Sequence, residues 1–97
     1  MNLKITKIKR KQIRFAIREY IIQNFNKLNK EFNFNKSLKQ IKMLPNSQFD
    51  VWIASISNNV LFCNNEDLES EKFAILVEGL LKCEQEISHE EDFYNHL

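Results

Sequence analysis

One glycine, Gly79, and one proline, Pro45, are all that punctuate this chain of 97 residues. Phosphate-cradling loops depend on glycine for tight turns and close backbone approach, so glycine-rich nucleotide loops and long flexible linkers are excluded together. With 43 % hydrophobic and 11 % aromatic residues, eight Phe among them, the chain is too apolar for disorder. These figures predict one domain over residues 1–97 with a single core.

The clearest element is a helix from around Lys9 to around Asn29. Ile13, Ala16, Ile17, Tyr20, Ile21 and Leu28 recur at steps of three and four, which puts them on one helical face. Ahead of it, Leu3 and Ile5 alternate with polar neighbours and predict a short extended piece over Leu3–Ile8. The apolar stretch Ile13–Phe25 is broken by Arg14, Arg18, Glu19, Gln23 and Asn24, so neither a membrane span nor a signal-peptide core is expected. The first eighteen residues, basic and free of acids, loosely fit an organelle presequence. A cytoplasmic protein is the preferred expectation.

Residues 38–63 read as a small antiparallel meander. Phe49, Val51 and Ile53 alternate with Asp50, Trp52 and Ala54, and the flanking Pro45-Asn46-Ser47 and Ser57-Asn58-Asn59 are turn-forming clusters. A hairpin turn on Asn58 and Asn59 would return through Val60–Cys63, since Asn tolerates the positive φ of tight turns. Leu38–Leu44 fits a third strand through Ile41 and Met43, or a helical turn through Leu38, Ile41 and Leu44; the strand is favoured.

A second long helix follows. Asn65 or Asp67 caps it, Glu66, Asp67, Glu69 and Glu71 suit its positive N-terminal end, and Phe73, Leu76, Val77, Leu80, Cys83 and Ile87 form its apolar face. Ser88-His89-Glu90-Glu91 matches a capping box and predicts a short C-terminal helix carrying Phe93, Tyr94 and Leu97. The expected fold class is therefore α+β: long N-terminal helix, two- or three-stranded antiparallel meander, second long helix and short C-terminal helix, with the helices packed on one sheet face.

Charge is split by halves. Residues 1–48 hold twelve of the fourteen Lys and Arg against only Glu19 and Glu31, while residues 49–97 hold Lys72 and Lys82 against eleven acids. A basic half at +10 and an acidic half at −9 lie beneath an overall net charge of +1. Such asymmetry points to charged partners, or to one half neutralising the other within a monomer or dimer.

Two surfaces follow from this split. Asp67, Glu71 and Glu78 align on the outer face of the second helix, and Glu84, Glu86, Glu90, Glu91 and Asp92 gather toward its end and on the terminal segment. Acids near a helix start merely complement the dipole, whereas acids near a C-terminus do not, so the second group carries more weight. An acid-rich surface imitates nucleic-acid phosphate to a basic protein and speeds association with it. On the first helix Lys7, Lys11, Arg14 and Arg18 form a basic stripe beside the apolar face, with Phe15 on its flank, a mixture that suits nucleic acid. A solvated lysine-rich face is the plain alternative.

Catalytic signals are weak. His89 and His96 do not match metal-protease spacing, Cys63 and Cys83 lack C-x-x-C spacing and suit buried thiols of a reduced compartment, and no cofactor, metal or enzymatic activity is expected. Trp52 is either core beneath the helices or an exposed anchor for a partner. The segment Glu90-Glu91-Asp92-Phe93-Tyr94-Asn95 resembles, over six residues, a stretch near the end of small phage-encoded inhibitors of CRISPR nucleases, and that resemblance implies inhibition of a nuclease. The expected function is a small inhibitor or immunity-type binding protein that neutralises a basic protein, such as a nuclease toxin, through its acidic surface. The alternative is a nucleic-acid or ribosome-associated protein that binds through the basic N-terminal helix. A monomer or weak homodimer is expected, away from membranes.

Overall fold

Apolar residues three and four apart run through almost the whole chain, and the computed structural model resolves them into helices. It describes the backbone of residues 3–63 and 67–95 and the side chains of residues 8–63 and 67–85. Among these described residues five helices follow in order: α1 (Leu3–Gln23), α2 (Phe25–Phe32), α3 (Leu38–Met43), α4 (Asn46–Leu61) and α5 (Leu68–Asn95). Among the described residues there is no strand, so the α+β expectation is overturned and the fold is all-helical.

The first expected helix is present but longer and broken. Its helical backbone starts at Leu3, which replaces the extended piece over Leu3–Ile8. At Asn24 the backbone leaves the helical range, with φ of −123°, while its N–H and its side-chain amide both donate to the Tyr20 carbonyl, at 3.0 Å and 3.1 Å, and the helix restarts as α2. Asn33, with φ of 52°, ends α2 in the left-handed conformation, its N–H donating to the Asn29 carbonyl at 2.8 Å. Asn35 also adopts positive φ, at 56°. Asparagine thus fills the turn positions that a glycine-poor chain leaves open.

The meander is the main correction. Over Phe49–Val60 the buried residues are Phe49, Trp52, Ile53, Ile56, Ser57 and Val60, a helical spacing sustained for three turns, while Val51 is 70 % exposed. A strand would have placed Phe49, Val51 and Ile53 inside. Each large apolar side chain buried contributes about 1.5–3 kcal/mol, so a helix that buries Phe49, Trp52, Ile53, Ile56 and Val60 wins over a strand that buries three. Asn58 and Asn59, expected at a hairpin turn, sit exposed in the last turn of α4. Leu38–Met43 is helical rather than extended. Ser37 caps it by accepting from the Gln40 N–H at 3.1 Å, while the Gln40 side chain accepts from the Ser37 N–H at 2.8 Å.

α5 begins where the acids predict. The Asp67 carboxylate accepts from the Glu69 N–H at 3.0 Å, and Glu69 and Glu71 lie in the first turn. It runs without interruption to Asn95, so Ser88–Glu91 lies inside a helix and starts none. The separate C-terminal helix is overturned, and Glu84 stands in the middle of α5 rather than near its end.

α1 and α5 pack antiparallel. Arg10 meets Glu84, Ile13 lies opposite Gly79, and Lys27 of α2 meets Asp67 and Glu69 at the other end. A Cβ at Gly79 would stand 3.5 Å from Ile13 Cδ1, an ordinary contact, so this glycine adapts to a close approach without being required by it. α4 lies antiparallel along α5, and α3 packs on α1. Between them sits an aromatic cluster in which Phe34 contacts Phe25, Trp52 and Phe73, and Phe49 contacts Trp52. Trp52 is core: its indole N–H donates to the Phe34 carbonyl at 3.3 Å.

Candidate functional site

Arg10, Arg14 and Arg18, the three arginines of the chain, step by four along one edge of α1, and all three turn toward the fold. Arg14 clasps Asp50 of α4 through two hydrogen bonds of 2.6 Å, from Nε to Oδ1 and from Nη2 to Oδ2, with both side chains largely buried. This is the planar fork-to-fork geometry that arginine offers and lysine cannot. The Asp50 hydrogen bonds, outweighing burial, raise the Arg14 pKa above its usual value. Arg18 donates to the carbonyls of Ile41 at 2.6 Å and Leu44 at 2.8 Å, capping the C-terminal end of α3, and its guanidinium lies 4.4 Å from the Phe49 ring centroid. Burial, followed by repulsion from Arg14, lowers its pKa below the usual arginine value. Arg10 donates to Glu84 at 2.7 Å.

The basic stripe expected from the sequence therefore divides. Arg14 and Arg18 hold helices together, whereas Lys11 and Phe15 face solvent, Phe15 being 66 % exposed. The side chain of Lys7 lies outside the described residues.

The acidic set divides in the same way. Asp67 pairs with Lys27 at 2.9 Å, and Lys27 also reaches Glu69 at 3.1 Å. The Lys27 hydrogen bond is the main cause that lowers the Asp67 pKa, and the reciprocal hydrogen bonds, to Asp67 first and Glu69 second, raise that of Lys27. Glu84 answers Arg10. On the outer face of α5, Glu71 and Glu78 are exposed, with Glu78 3.1 Å from Lys82 one turn on. The side chains of Glu86, Glu90, Glu91 and Asp92 lie outside the described residues; their backbone belongs to α5.

Among the described residues, each ion pair between helices, Arg10 to Glu84, Arg14 to Asp50 and Lys27 to Asp67 and Glu69, joins the basic half to the acidic half. Part of the charge asymmetry thus serves the fold itself. Sequence reasoning missed Asp50, which it placed on a strand. The available signal was a lone acid among the apolar positions of a helical pattern, one residue after Phe49. It also missed Glu31, whose carboxylate accepts from the Ser70 hydroxyl and, at 3.3 Å, from the Cys63 thiol, tying α2 to the segment after α4 and to α5.

Among the described residues, no three His, Cys, Asp or Glu side chains gather as a metal site would require. No helix is long and apolar enough, over those residues, to cross a membrane. Comparison with protein families, with curated proteins and with solved structures finds no match for this chain.

Proposed function

We propose that this chain is a cytoplasmic inhibitor or immunity-type protein that neutralises a basic protein, such as a nuclease toxin, by covering its substrate surface with the acidic face of α5. The observation that carries this reading is the division of the charged groups. The arginines suited to phosphate recognition are engaged inside the fold, while Glu71 and Glu78 face solvent on a helix whose opposite side is buried through Phe73, Val77, Leu80 and Cys83. A rigid acidic helix suits such a role because pre-ordered carboxylates steer association and cost little entropy on binding. Glu86, Glu90, Glu91 and Asp92 extend the same helix toward its end and belong to the proposed surface. The nucleic-acid alternative keeps Lys11 and Phe15 and loses Arg14 and Arg18 to internal partners.

The test is a parallel capture from native cells with the wild type, Glu71→Lys/Glu78→Lys and Glu90→Lys/Glu91→Lys, followed by association kinetics on the purified partner. A basic partner that associates tenfold or more slowly with a charge-reversed variant, the two converging as salt rises, is the expected outcome. Equal rates for all three proteins would remove the acidic face from the interface.

A further inference from the structure

The geometry points to recognition between copies of this chain, with the outer stripe of α1 docking on the outer stripe of α5 in a second copy. This goes beyond the inhibitor reading and does not depend on it, although the two share the α5 face.

At about 100° per residue, Ile8, Lys11 and Phe15 fall within roughly 60° of one another on α1. Ile8 is 49 % and Phe15 66 % exposed, and half-buried Ile22 continues the line seven residues on. On α5, Leu68, Glu71, Ile75 and Glu78 fall within roughly 80°, with Leu68 57 % and Ile75 62 % exposed. Single exposed apolar residues are common on any surface. These two sets differ from scattered residues in sharing a spacing: apolar side chains seven apart, Ile8, Phe15 and Ile22 on α1 and Leu68 and Ile75 on α5, with an exposed charge three residues after Ile8, Leu68 and Ile75. The charges have opposite sign. Lys11 follows Ile8, whereas Glu71 follows Leu68 and Glu78 follows Ile75. Since Glu78 already pairs with Lys82, Glu71 offers the charge best placed for an outside cation.

The stripes cannot meet within one copy. α1 faces α5 through Ile13, opposite Gly79, and the stripe of α1 lies on the far side of that contact. A second copy supplies the missing surface. Used reciprocally, one copy's α1 on its partner's α5 and the reverse, the two stripes close a twofold dimer; used one at a time, head to tail, they give short chains or a closed ring. Two narrow helix faces bury less than the ~1,200 Å² of a stable complex, so the association is weak and falls as salt screens the Lys11 and Glu71 attraction.

Sedimentation equilibrium of the full chain at low and high ionic strength tests this. The wild type should exceed its 11.6 kDa monomer mass at high protein concentration and low salt. Lys11→Glu alone, and Glu71→Lys/Glu78→Lys alone, should each weaken association by about tenfold or more, because attraction becomes repulsion. Mixing the two variants should restore it, since each mixed contact again sets Lys against Glu. Circular dichroism matching the wild type confirms that both variants fold. A monomeric wild type throughout, or a mixture that stays monomeric, overturns the inference. A monomeric wild type whose partner binding still depends on Glu71 and Glu78 would overturn this self-recognition and leave the inhibitor reading standing. Self-association that leaves partner capture insensitive to those acids would do the reverse.

Discussion

Arg14 on α1 and Glu71 on α5 are both charged residues on long helices in a strongly charged chain, yet they stand in opposite environments. Arg14 lies one residue beyond Ile13, at the edge of the buried face, and α4 delivers Asp50 to it with two matched hydrogen bonds. Glu71 lies two residues from buried Phe73, on the opposite side of its helix, and keeps its water. The difference teaches that charge identity says little about role. What decides is the angle between the charged residue and the apolar face, and whether another helix closes over it.

The sharpest way to break this comparison is to neutralise one acid from each region. Asp50→Ala leaves the Arg14 guanidinium largely buried without its partner and should lower the unfolding free energy by about 3 kcal/mol. Glu71→Ala should change it by less than about 0.5 kcal/mol. Urea denaturation of the two variants measures both, and similar losses would erase the distinction. Replacing Arg14 and Asp50 together with apolar residues should recover much of the loss, because the pair offsets its own desolvation only when complete.

A second contrast lies within α1. Arg18→Lys keeps the charge but loses the fork that reaches the Ile41 and Leu44 carbonyls and the flat contact with Phe49. It should cost about 1–2 kcal/mol, whereas Lys11→Arg, at an exposed position, should leave stability unchanged. Thermal unfolding at fixed pH reads both. Equal midpoints for the Arg18 variant and the wild type would show that a point charge suffices there.

The smallest effect belongs to the pair of exposed Lys27 and half-buried Asp67. The Asp67 pKa is lowered, so its contribution is complete above the usual carboxylate range and disappears as pH falls through the lowered value. That of Lys27 is raised, so its contribution is complete below the usual amine range and disappears as pH rises through the raised value. Lys27→Met should therefore be slightly less stable than the wild type across the neutral plateau, and the two should converge in strong acid. A difference that persists in strong acid would assign the effect to packing.

Much of the outer fold was legible in the sequence. The Ile13, Ile17 and Ile21 spacing marks α1, and Asp67 with the acids after it marks the start of α5, because helix periodicity and capping are local properties. The middle was misread because Phe49, Val51 and Ile53 satisfy a two-residue period over five positions, while Phe49, Trp52, Ile53, Ile56 and Val60 satisfy a helical one over twelve. The longer match was the better guide, and so was the scarcity of Gly and Pro, which hairpin turns favour. The Ser37-to-Gln40 spacing was a second unused helix signal. Of the candidate surface, the exposure of Glu71 and Glu78 was readable from their angle to Phe73 and Val77, and the inward turn of Arg14 and Arg18 was not.

What the sequence by itself determined is the apolar face of α1 through Ile13, Ile17 and Ile21, that of α5 through Phe73, Val77, Leu80 and Cys83, and that the two halves carry opposite charge. Only the tertiary structure decided which charges answer each other. Arg14 and Asp50 are 36 residues apart and Arg10 and Glu84 are 74 apart. Local pattern carries no information on such pairings, because they exist only once the buried faces of α1, α4 and α5 have packed and fixed which polar edges come together.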